Sequence, residues 1–543
     1  MQAYDEAHVG FDLDAIKARF SGDFVRGLNA CVECCDRHPP EDVALIWETS
    51  PDHGGSLTFG DLRDQAGRFA NLLASLGVRP GDVVAGLLPR TPELLVVILG
   101  TWRVGAVYQP LFTAFGPKAV EHRLALSQAR VIVTDTANRP KIEAPGGAVL
   151  VVGSAGEPSH GGEGDLDFHE SLEGQSADFS PVLQDGEAPF MMMATSGTTG
   201  LPKAVVVPLR ALQAFDVYMR DAVDLRPDDR FWNIADPGWA YGLYYAVAGP
   251  LLLGAATRFL NAPFSAERAY DFIHRHDVTN LAGSPTAFRL LMTDEAAAER
   301  LRGRLRAVSS AGEPLNPAVI AWFDRHLGVR ILDHYGQTET GMVVNNHHGL
   351  EHVVQPGSAG FAMPGFRVRV VDDEGRDAPD EMPGELAVDI AGSPLLFFQG
   401  YWKADTPAIG QGLYRTGDTV ERSPDGRISF VGRSDDVITS SGYRIGPFDV
   451  ESALAEHPAV LESAVVGRPD PERTEIVTAY VVLKPTYAAT PELAEALQQL
   501  VRTRLSAHAY PRQVHFVGEL PKTPSGKIQR FLLRMDGAAP ASR

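Results

Sequence analysis

The chain has 543 residues, of which 44% are hydrophobic and 22% are charged, a balance typical of soluble globular proteins. This length exceeds what one hydrophobic core supports, so two or more domains are expected. The 69 acidic and 49 basic residues give a net charge of −20, which argues against nucleic acid or an anionic membrane as the main partner.

No stretch is typical of secretion or membrane insertion. The first fifteen residues lack the basic start and apolar run of a signal peptide, and the apolar segment 246–256 is too short to span a bilayer. The three cysteines lie together at positions 31, 34 and 35. If they bound a metal ion, only His38 nearby could serve as a further ligand. A helix face in a reducing cytosol is favoured over a metal site. We therefore expect a cytoplasmic protein.

The first part of the chain alternates short apolar runs with helical periods. Apolar runs that predict strands occupy 43–48, 83–88 and 131–135. Between the first two, apolar residues from Leu62 to Leu76 recur at helical spacing, and Gly77 closes the helix. Strands that alternate with helices predict a largely parallel α/β sheet.

The same alternation continues further along the chain. Strands are predicted at 279–283 and 305–310, and Ser284 and Pro285 supply an N-cap and a first-turn proline for the helix between them. The stretch 153–189 is acidic, rich in Gly and Ser and poorly periodic, which predicts an irregular surface connection.

The last hundred residues are typical of a separate, smaller α/β unit. Pro447 opens a helix that ends at His457 and Pro458, and an apolar stripe from Leu493 to Leu505 predicts a second helix. Strands are predicted at 463–467, 477–483 and 514–517. We place the boundary in the polar stretch 432–436, which divides the chain into domains 1–433 and 434–543.

A loop of small polar residues lies between a methionine run and a valine run. Its residues are Thr195, Ser196, Gly197, Thr198, Thr199 and Gly200, and Lys203 follows. Glycines let backbone N–H groups converge on an anion, hydroxyls add donors, and the lysine supplies a positive charge that can reach phosphate oxygens. The Walker A pattern is absent, so this would be a different kind of phosphate loop.

The stretch TSGTTGLPK (195–203) resembles the phosphate loop of the acyl-adenylate-forming superfamily. Six further stretches of that superfamily's pattern follow in order: GEP (312–314), DHYGQTE (333–339), YRTGD (414–418), GRSDD (432–436), SGYRIGP (441–447) and PKTPSGKIQR (521–530). The stretches 231–242 and 450–460 look most like the acetyl-CoA synthetase and medium-chain acyl-CoA synthetase branch. Ala204 differs from the glycine that commonly follows the loop lysine in that superfamily, and this one difference does not change the resemblance.

The resemblance implies a fold and a reaction. The fold is α/β, with a large N-terminal domain of several sheets, the AMP-binding (adenylation) domain, and a small mobile C-terminal domain. The enzyme would be an acid-thiol ligase, an ATP-dependent acyl-CoA synthetase that needs Mg²⁺ and coenzyme A. A carboxylate attacks ATP to give acyl-AMP and pyrophosphate, and the thiol of coenzyme A then displaces AMP.

The resemblance also assigns roles in nucleotide binding. The phosphate loop and Lys203 would hold phosphates, Thr338 the α-phosphate, and Glu339 the Mg²⁺ ion, for which a hard oxygen ligand is suited. The residues implied around the adenine are Gly312, Glu313, Pro314, Asp333, His334 and Tyr335. Gly336 and Gln337 continue this ATP-binding stretch, and Asp418 and Arg433 would lie beside the ribose.

The small domain is implied to serve the two steps in turn. Lys527 would reach the carboxylate and α-phosphate during adenylation, and Asp435 matches the hinge about which the domain rotates. After rotation, Ser441, Gly442 and Tyr443 would admit coenzyme A, and Arg444 would approach phosphate. Acylation of Lys527 by a lysine acyltransferase would remove the charge that adenylation needs.

The acid itself is less specified. In acetyl-specific relatives a tryptophan closes the acyl pocket at the position of Gly336, so glycine there predicts a larger pocket, lined in part by Trp239, Ala240 and Tyr241. We expect a short- to medium-chain acid, with branched and aromatic acids included. Two alternatives stay open: a ligase that loads a carrier protein, and a catalytically dead homologue with a binding or regulatory role. The sequence does not indicate an oligomeric state.

Overall fold

The structure, a computed structural model, describes most of the chain. The described residues are 1–143, 145–153, 162–195, 202–440, 443–471, 473–506, 508–523 and 527–535, and for Arg444 and Met535 this covers the backbone alone. They form an α/β protein with several separate sheets, as the sequence predicted.

A seven-stranded, mainly parallel sheet lies in the N-terminal part. Its strands, in spatial order, are Ala204–Pro208, Pro189–Ala194, Val107–Pro110, Val83–Leu87, Val131–Asp135, Ala148–Val152 and Leu166–Asp167. The edge strand Ala204–Pro208 runs antiparallel to its neighbour, so the predicted phosphate loop joins the two strands of a hairpin. Every residue of the central strand Val83–Leu87 is buried, as expected for a parallel sheet that is covered on both faces.

A second sheet has six strands and carries most of the predicted nucleotide residues. In spatial order these are Phe231–Asn233, Asn280–Gly283, Ala307–Ala311, Ile331–Gln337, Gly341–Asn345 and Phe361–Ala362. The first four are parallel, so the carboxyl ends of Ala307–Ala311 and Ile331–Gln337 meet at one edge. Ligands of open α/β sheets bind at this edge.

Smaller sheets complete the N-terminal part. One consists of Thr257–Leu260, Val43–Ser50 and His53–Thr58, and a short pair consists of Gln2–Ala3 and Leu350–Glu351. An antiparallel sheet consists of Val368–Val371, Gly384–Asp389, Leu413–Arg422, Ile409–Gly410 and Ile428–Arg433. The first half of Leu413–Arg422 contains the YRTGD stretch. This strand pairs with Ile428–Arg433, and Asp418 and Arg433 are direct cross-strand partners.

The C-terminal part has its own sheet and core. The strands are Tyr443–Ile445, Ile438–Ser440, Thr474–Leu483, Val460–Asp470 and Gln513–Phe516. Val465, Val477 and Leu497 belong to a core cluster made entirely of residues after 437. The last N-terminal strand ends at Arg433 and this sheet begins at Ile438, so the boundary between 433 and 434 stays a prediction with which the strands agree.

Helices cover the sheets. The described α-helices are Tyr4–Val9, Leu13–Lys17, Phe59–Ser75, Pro92–Arg103, Pro117–Ser127, Phe168–Leu172, Ala211–Val217, Ala240–Gly242, Gly249–Leu252, Ala266–Arg275, Pro285–Leu291, Glu295–Arg300, Pro317–Leu327, Pro447–Ala455, Pro491–Arg504 and Arg530–Met535. Arg139–Lys141 is a 3₁₀-helix, and Val32–Asp36, Tyr218–Ala222 and Leu243–Ala248 are π-helical. None of the helices in the described ranges is long and apolar enough to cross a membrane.

Most of the predicted elements are confirmed, with local exceptions. The Ser284 side chain accepts a hydrogen bond from the Ala287 N–H, as an N-cap should. The irregular connection predicted at 153–189 contains the strand Leu166–Asp167 and the helix Phe168–Leu172, so that prediction was partly wrong. The three cysteines are buried, unpaired thiols on and beside the π-helix Val32–Asp36.

Candidate active site

The predicted phosphate loop connects two antiparallel strands, Pro189–Ala194 and Ala204–Pro208. The Thr195 N–H donates to the Lys203 carbonyl at 2.8 Å, and the Thr195 hydroxyl lies 3.3 Å from the same oxygen. These bonds close the base of the loop and leave the Lys203 side chain exposed. Ser196, Gly197, Thr198, Thr199 and Gly200 lie outside the described residues.

A hydrogen-bonded cluster surrounds the predicted ribose ligand, Asp418. The Tyr335 hydroxyl donates to its Oδ2 at 2.5 Å, and the Gln337 amide donates to the same oxygen at 2.7 Å. The Arg433 Nε lies 3.4 Å from Oδ1. Residues of two other motifs, 333–339 and 432–436, therefore converge on the carboxylate of the YRTGD stretch.

The surroundings of the buried Asp418 carboxyl affect its pKa in opposite directions. The residue is 3% exposed, and burial raises the pKa of its carboxyl while the Arg433 guanidinium and the Tyr335 and Gln337 hydrogen bonds act in the opposite direction. Burial and the Asp418 charge together raise the pKa of Tyr335 well above its ordinary value, so the phenol stays a hydrogen-bond donor at neutral pH.

Glu339, the predicted Mg²⁺ ligand, is also buried, with 8% of its surface exposed. The Tyr401 hydroxyl donates to its Oε1 at 2.8 Å. No lysine or arginine among the described residues forms an ion pair with it, and burial raises the pKa of its carboxyl. A buried carboxylate without a protein counter-ion fits a hard divalent cation.

The turn that carries Thr338 and Glu339 is held from behind. The Tyr244 hydroxyl donates to the Thr338 carbonyl at 3.1 Å, and the Tyr414 hydroxyl donates to Gln337 Oε1 at 2.7 Å. Both tyrosines are buried. The turn is thus held by one side chain from the π-helix Leu243–Ala248 and, through the Gln337 amide, by one from the strand Leu413–Arg422.

The predicted adenine residues divide into those that face the site and those that support it. Asp333 has a buried Oδ1 with no hydrogen-bond partner, which an adenine amino group could satisfy. Gly312 has φ +95°, a conformation that favours glycine. The Glu313 carboxylate is engaged by the Thr286 hydroxyl at 2.8 Å and by Arg289 at 3.3 Å, so Glu313 and Pro314 can frame a base through their backbone.

The His334 side chain does not lie on the same face as the side chains of its predicted adenine neighbours. Side chains alternate along a strand, so His334 points to the face opposite Asp333 and Tyr335. It is 2% exposed, with Nδ1 2.8 Å from the Tyr218 hydroxyl and Nε2 2.9 Å from the Asn346 carbonyl. Both ring nitrogens are therefore occupied in the interior, and the imidazole is not available to an adenine ring.

The structure shows what surrounds Gly336, for which a pocket-opening role is predicted. A Cβ atom at this position would lie 2.1 Å from the Gly341 carbonyl oxygen and 2.7 Å from the Met342 Cα. The position lies at a bulge in the hairpin between Ile331–Gln337 and Gly341–Asn345, and the glycine permits this close approach of the two strands. The paired strand therefore fills the space that a side chain at Gly336 would enter, and the pocket role of this glycine stays a prediction.

Gly336→Trp is therefore expected to impair every acid to a similar degree. The indole would displace the hairpin backbone and with it Thr338 and Glu339, and a misplacement of about 1 Å can lower the rate on the order of 10²-fold. The measurement is kcat/KM for acetate, butyrate and hexanoate. Gly410→Trp is the control because a Cβ at Gly410 meets nothing within 4 Å. If Gly336→Trp kept its kcat/KM for acetate but lost that for hexanoate, the result would support a role of Gly336 in chain-length selection.

The predicted acyl-pocket stretch forms an aromatic wall. The Trp239 ring packs against Phe112 and Phe115, with centroids 5.4 and 5.2 Å apart. Tyr241 follows on the short helix Ala240–Gly242, and its ring lies 5.7 Å from that of Tyr245. The Tyr245 hydroxyl in turn accepts from the Met342 N–H at 3.1 Å, which links this wall to the hairpin that carries Glu339.

Lys527 belongs to the small domain but acts electrostatically on two predicted residues of the large one. Its side chain is exposed, and its positive charge is among the groups that lower the pKa of both Glu339 and Asp418 against the raising effect of burial. The Thr523 N–H donates to the Lys527 carbonyl at 2.8 Å. The Lys527 charge is therefore linked to the predicted metal ligand and the predicted ribose ligand.

The predicted hinge, Asp435, lies in the turn that joins the two domains. The Asp436 N–H donates to the Arg433 carbonyl at 2.9 Å and closes this turn, and the Asp435 Oδ1 lies 3.7 Å from the Arg433 Nε. Asp436 also pairs with Arg534 of the last described helix. A rotation of the small domain would have to change the backbone here, so the hinge stays a prediction.

The predicted coenzyme A residues are described in part. Tyr443 is 49% exposed, and its ring stacks on His508 with centroids 3.9 Å apart. Ser441 and Gly442 lie outside the described residues, and the Arg444 backbone lies in the strand Tyr443–Ile445. Their role in thioester formation stays a prediction.

Comparison with known proteins follows the same two-part division. The AMP-binding enzyme family matches residues 32–402, and the AMP-binding enzyme C-terminal domain matches residues 449–527. The chain belongs to the AMP-binding enzyme family. Its class is that of the AMP-forming acyl-CoA ligases, whose members use ATP, Mg²⁺ and coenzyme A, so the predicted family and class are confirmed.

Individual relatives cover nearly the whole chain. A crystal structure of acyl-CoA synthetase from Brucella canis is 61% identical, covers 98% of each chain and superposes with a TM-score of 0.81. Acetyl-coenzyme A synthetase of Bacillus subtilis is 35% identical over 98% of this chain and 95% of its own length. Human mitochondrial acyl-coenzyme A synthetase ACSM5 is 37% identical over 92% of this chain and 87% of its own.

Sequence reasoning missed several residues of this AMP-binding enzyme's site. Tyr414 and Thr416 lie within the YRTGD stretch but were given no role, although Gln337 bonds to both. Tyr401 lies in a stretch without a motif, so nothing in the sequence separated it from an ordinary packed aromatic. Its contact with Glu339 spans 62 residues, a separation that only the folded chain closes.

Proposed function

We propose that this enzyme activates a short- to medium-chain carboxylic acid, with branched and aromatic acids included, as acyl-AMP and transfers the acyl group to coenzyme A. The observation that supports this most is that Lys203, Glu339 and Asp418 are held in one region while the Lys527 charge acts on the latter two. These groups suit a reaction in which one anion attacks another.

In the first step a carboxylate oxygen of the acid attacks the α-phosphorus of ATP, and the bond to the leaving pyrophosphate breaks. Lys203 and Lys527 would stabilise negative charge on phosphate oxygens, and Asp418 would accept hydrogen bonds from the ribose hydroxyls. Glu339 would hold Mg²⁺, which supplies positive charge to the phosphates when bound.

In the second step the sulfur of coenzyme A attacks the acyl carbonyl carbon, AMP leaves, and the thiol proton is lost. We infer that the small domain rotates about Asp435 between the steps, since a lysine needed for adenylation and the loop 441–443 would otherwise compete for one site. The exposed Lys527 is also a candidate for a lysine acyltransferase, and a sample acetylated there should lose adenylation.

The test is pyrophosphate release with a panel of straight, branched and aryl acids, followed by thioester formation with free coenzyme A. Release with at least one acid and a thioester with free coenzyme A are the expected results. Release without a thioester would indicate a ligase that loads a carrier protein. No release with any acid would indicate a catalytically dead homologue.

A further inference from the structure

Tyr401 lies in a connection that is bound to the strand after the phosphate loop. It forms an isolated antiparallel bridge with Val205, and the next residue, Trp402, donates its N–H to the Ala204 carbonyl at 2.8 Å. The Tyr401 N–H donates to the Thr406 hydroxyl at 2.8 Å. These backbone bonds fix the Tyr401 backbone opposite Val205, which is two residues after Lys203 in the sequence.

The side chain of Tyr401 contacts two groups that the proposed function assigns to different ligands. Its hydroxyl donates to Glu339 Oε1 at 2.8 Å. The Lys203 Nζ lies over the face of its ring, 4.7 Å from the ring centroid. The ring is held by Phe398, with centroids 5.1 Å apart. One rigid aromatic side chain thus lies between the predicted metal ligand and the predicted phosphate-binding lysine.

The two contacts act through different physics and can be separated. A hydrogen bond to one oxygen of a ligating carboxylate fixes its rotation, so that the other oxygen is oriented before the cation arrives. The ring face attracts the ammonium group and restricts a long side chain that is otherwise exposed. Removal of the hydroxyl should disturb the first contact, and removal of the ring should disturb both.

We propose that Tyr401 is a positioning residue that orients Glu339 for Mg²⁺ and Lys203 for the ATP phosphates, and so sets the Mg²⁺ requirement of adenylation. This inference rests on the proposed function. It adds a residue that acts through the predicted metal ligand Glu339 and the predicted phosphate-binding Lys203.

The variants are Tyr401→Phe, which keeps the ring, and Tyr401→Leu, which removes it. Tyr270→Phe is the matched control, because the buried Tyr270 hydroxyl donates to the Leu291 carbonyl at 2.9 Å in a different core cluster. The readouts are the Mg²⁺ concentration for half-maximal pyrophosphate release, the KM for ATP at saturating Mg²⁺, and Mn²⁺ binding in the presence of ATP by electron paramagnetic resonance. Thermal unfolding checks that each variant is folded.

Tyr401→Phe should raise the half-saturating Mg²⁺ concentration about tenfold and weaken Mn²⁺ binding to match, since loss of a partner to a metal ligand lowers affinity about 10–100-fold. Excess Mg²⁺ should restore its rate, with the KM for ATP unchanged. Tyr401→Leu should add an increase of about threefold in that KM. Tyr270→Phe should change none of these.

A Tyr401→Phe enzyme with an unchanged Mg²⁺ requirement and unchanged Mn²⁺ binding would overturn the inference, even if its rate fell. If the wild-type protein releases no pyrophosphate with any acid, the proposed function fails, but Mn²⁺ and ATP binding by the wild type and Tyr401→Phe still decides the role of Tyr401. If Tyr401→Leu does not fold, Tyr401→Phe and its control suffice.

Discussion

Lys527→Ala is expected to lose adenylation on the order of 10²–10³-fold, because it removes a positive group from the place where charge develops on the α-phosphate. Thioester formation from supplied acyl-AMP should be retained, since Lys527 is proposed to act in adenylation alone. The motivation is the position of Lys527, whose charge acts on Glu339 and Asp418. The measurement is the rate of each half-reaction separately.

Two further variants make this test specific. Lys522→Ala removes a lysine from the same loop region that pairs instead with Glu462 at 2.7 Å, and it should leave both half-reactions unchanged. Lys527→Gln mimics acetylation and should behave as Lys527→Ala does. Equal loss of both half-reactions in Lys527→Ala would show that the lysine supports the fold and not adenylation.

Asp435→Pro is expected to have the opposite effect to Lys527→Ala: it should impair thioester formation more than adenylation. Proline fixes φ at position 435 and restricts Ser434, so the backbone change that a rotation requires would be blocked. The Asp435 N–H donates no hydrogen bond to any described residue. Replacement of this N–H by the proline ring therefore breaks no hydrogen bond of the turn. Thioester formation should fall on the order of 10²-fold, while adenylation should fall by no more than about tenfold, because of the restriction at Ser434.

Asp435→Ala is the control, because it removes the carboxylate and its contact with Arg433 but keeps the freedom of the backbone. It should retain both steps. Normal rates of both steps in Asp435→Pro would place the hinge elsewhere. Loss of both steps in Asp435→Pro with a lowered unfolding temperature would mean that proline disrupts the turn closed by Asp436.

The sequence by itself determined the alternation of strands and helices, the separate C-terminal unit and the family. These features depend on local signals: the apolar run that became Val83–Leu87, the cap at Ser284 and the motif stretches themselves. Such signals act over a few residues, so a linear reading detects them. The identity of Glu339 and Asp418 as candidate site residues came from the same source.

Only the tertiary structure decided which side chains can act. His334 was grouped with Asp333 and Tyr335 as a sequence neighbour, but strand alternation buries it on the opposite face. Gly336 was predicted to open the acyl pocket, and the structure adds that the paired strand fills the space a side chain there would enter. Tyr401 reaches Glu339 across 62 residues. Burial, strand pairing and long-range contact arise when distant segments pack together, and none of them is encoded at a single position.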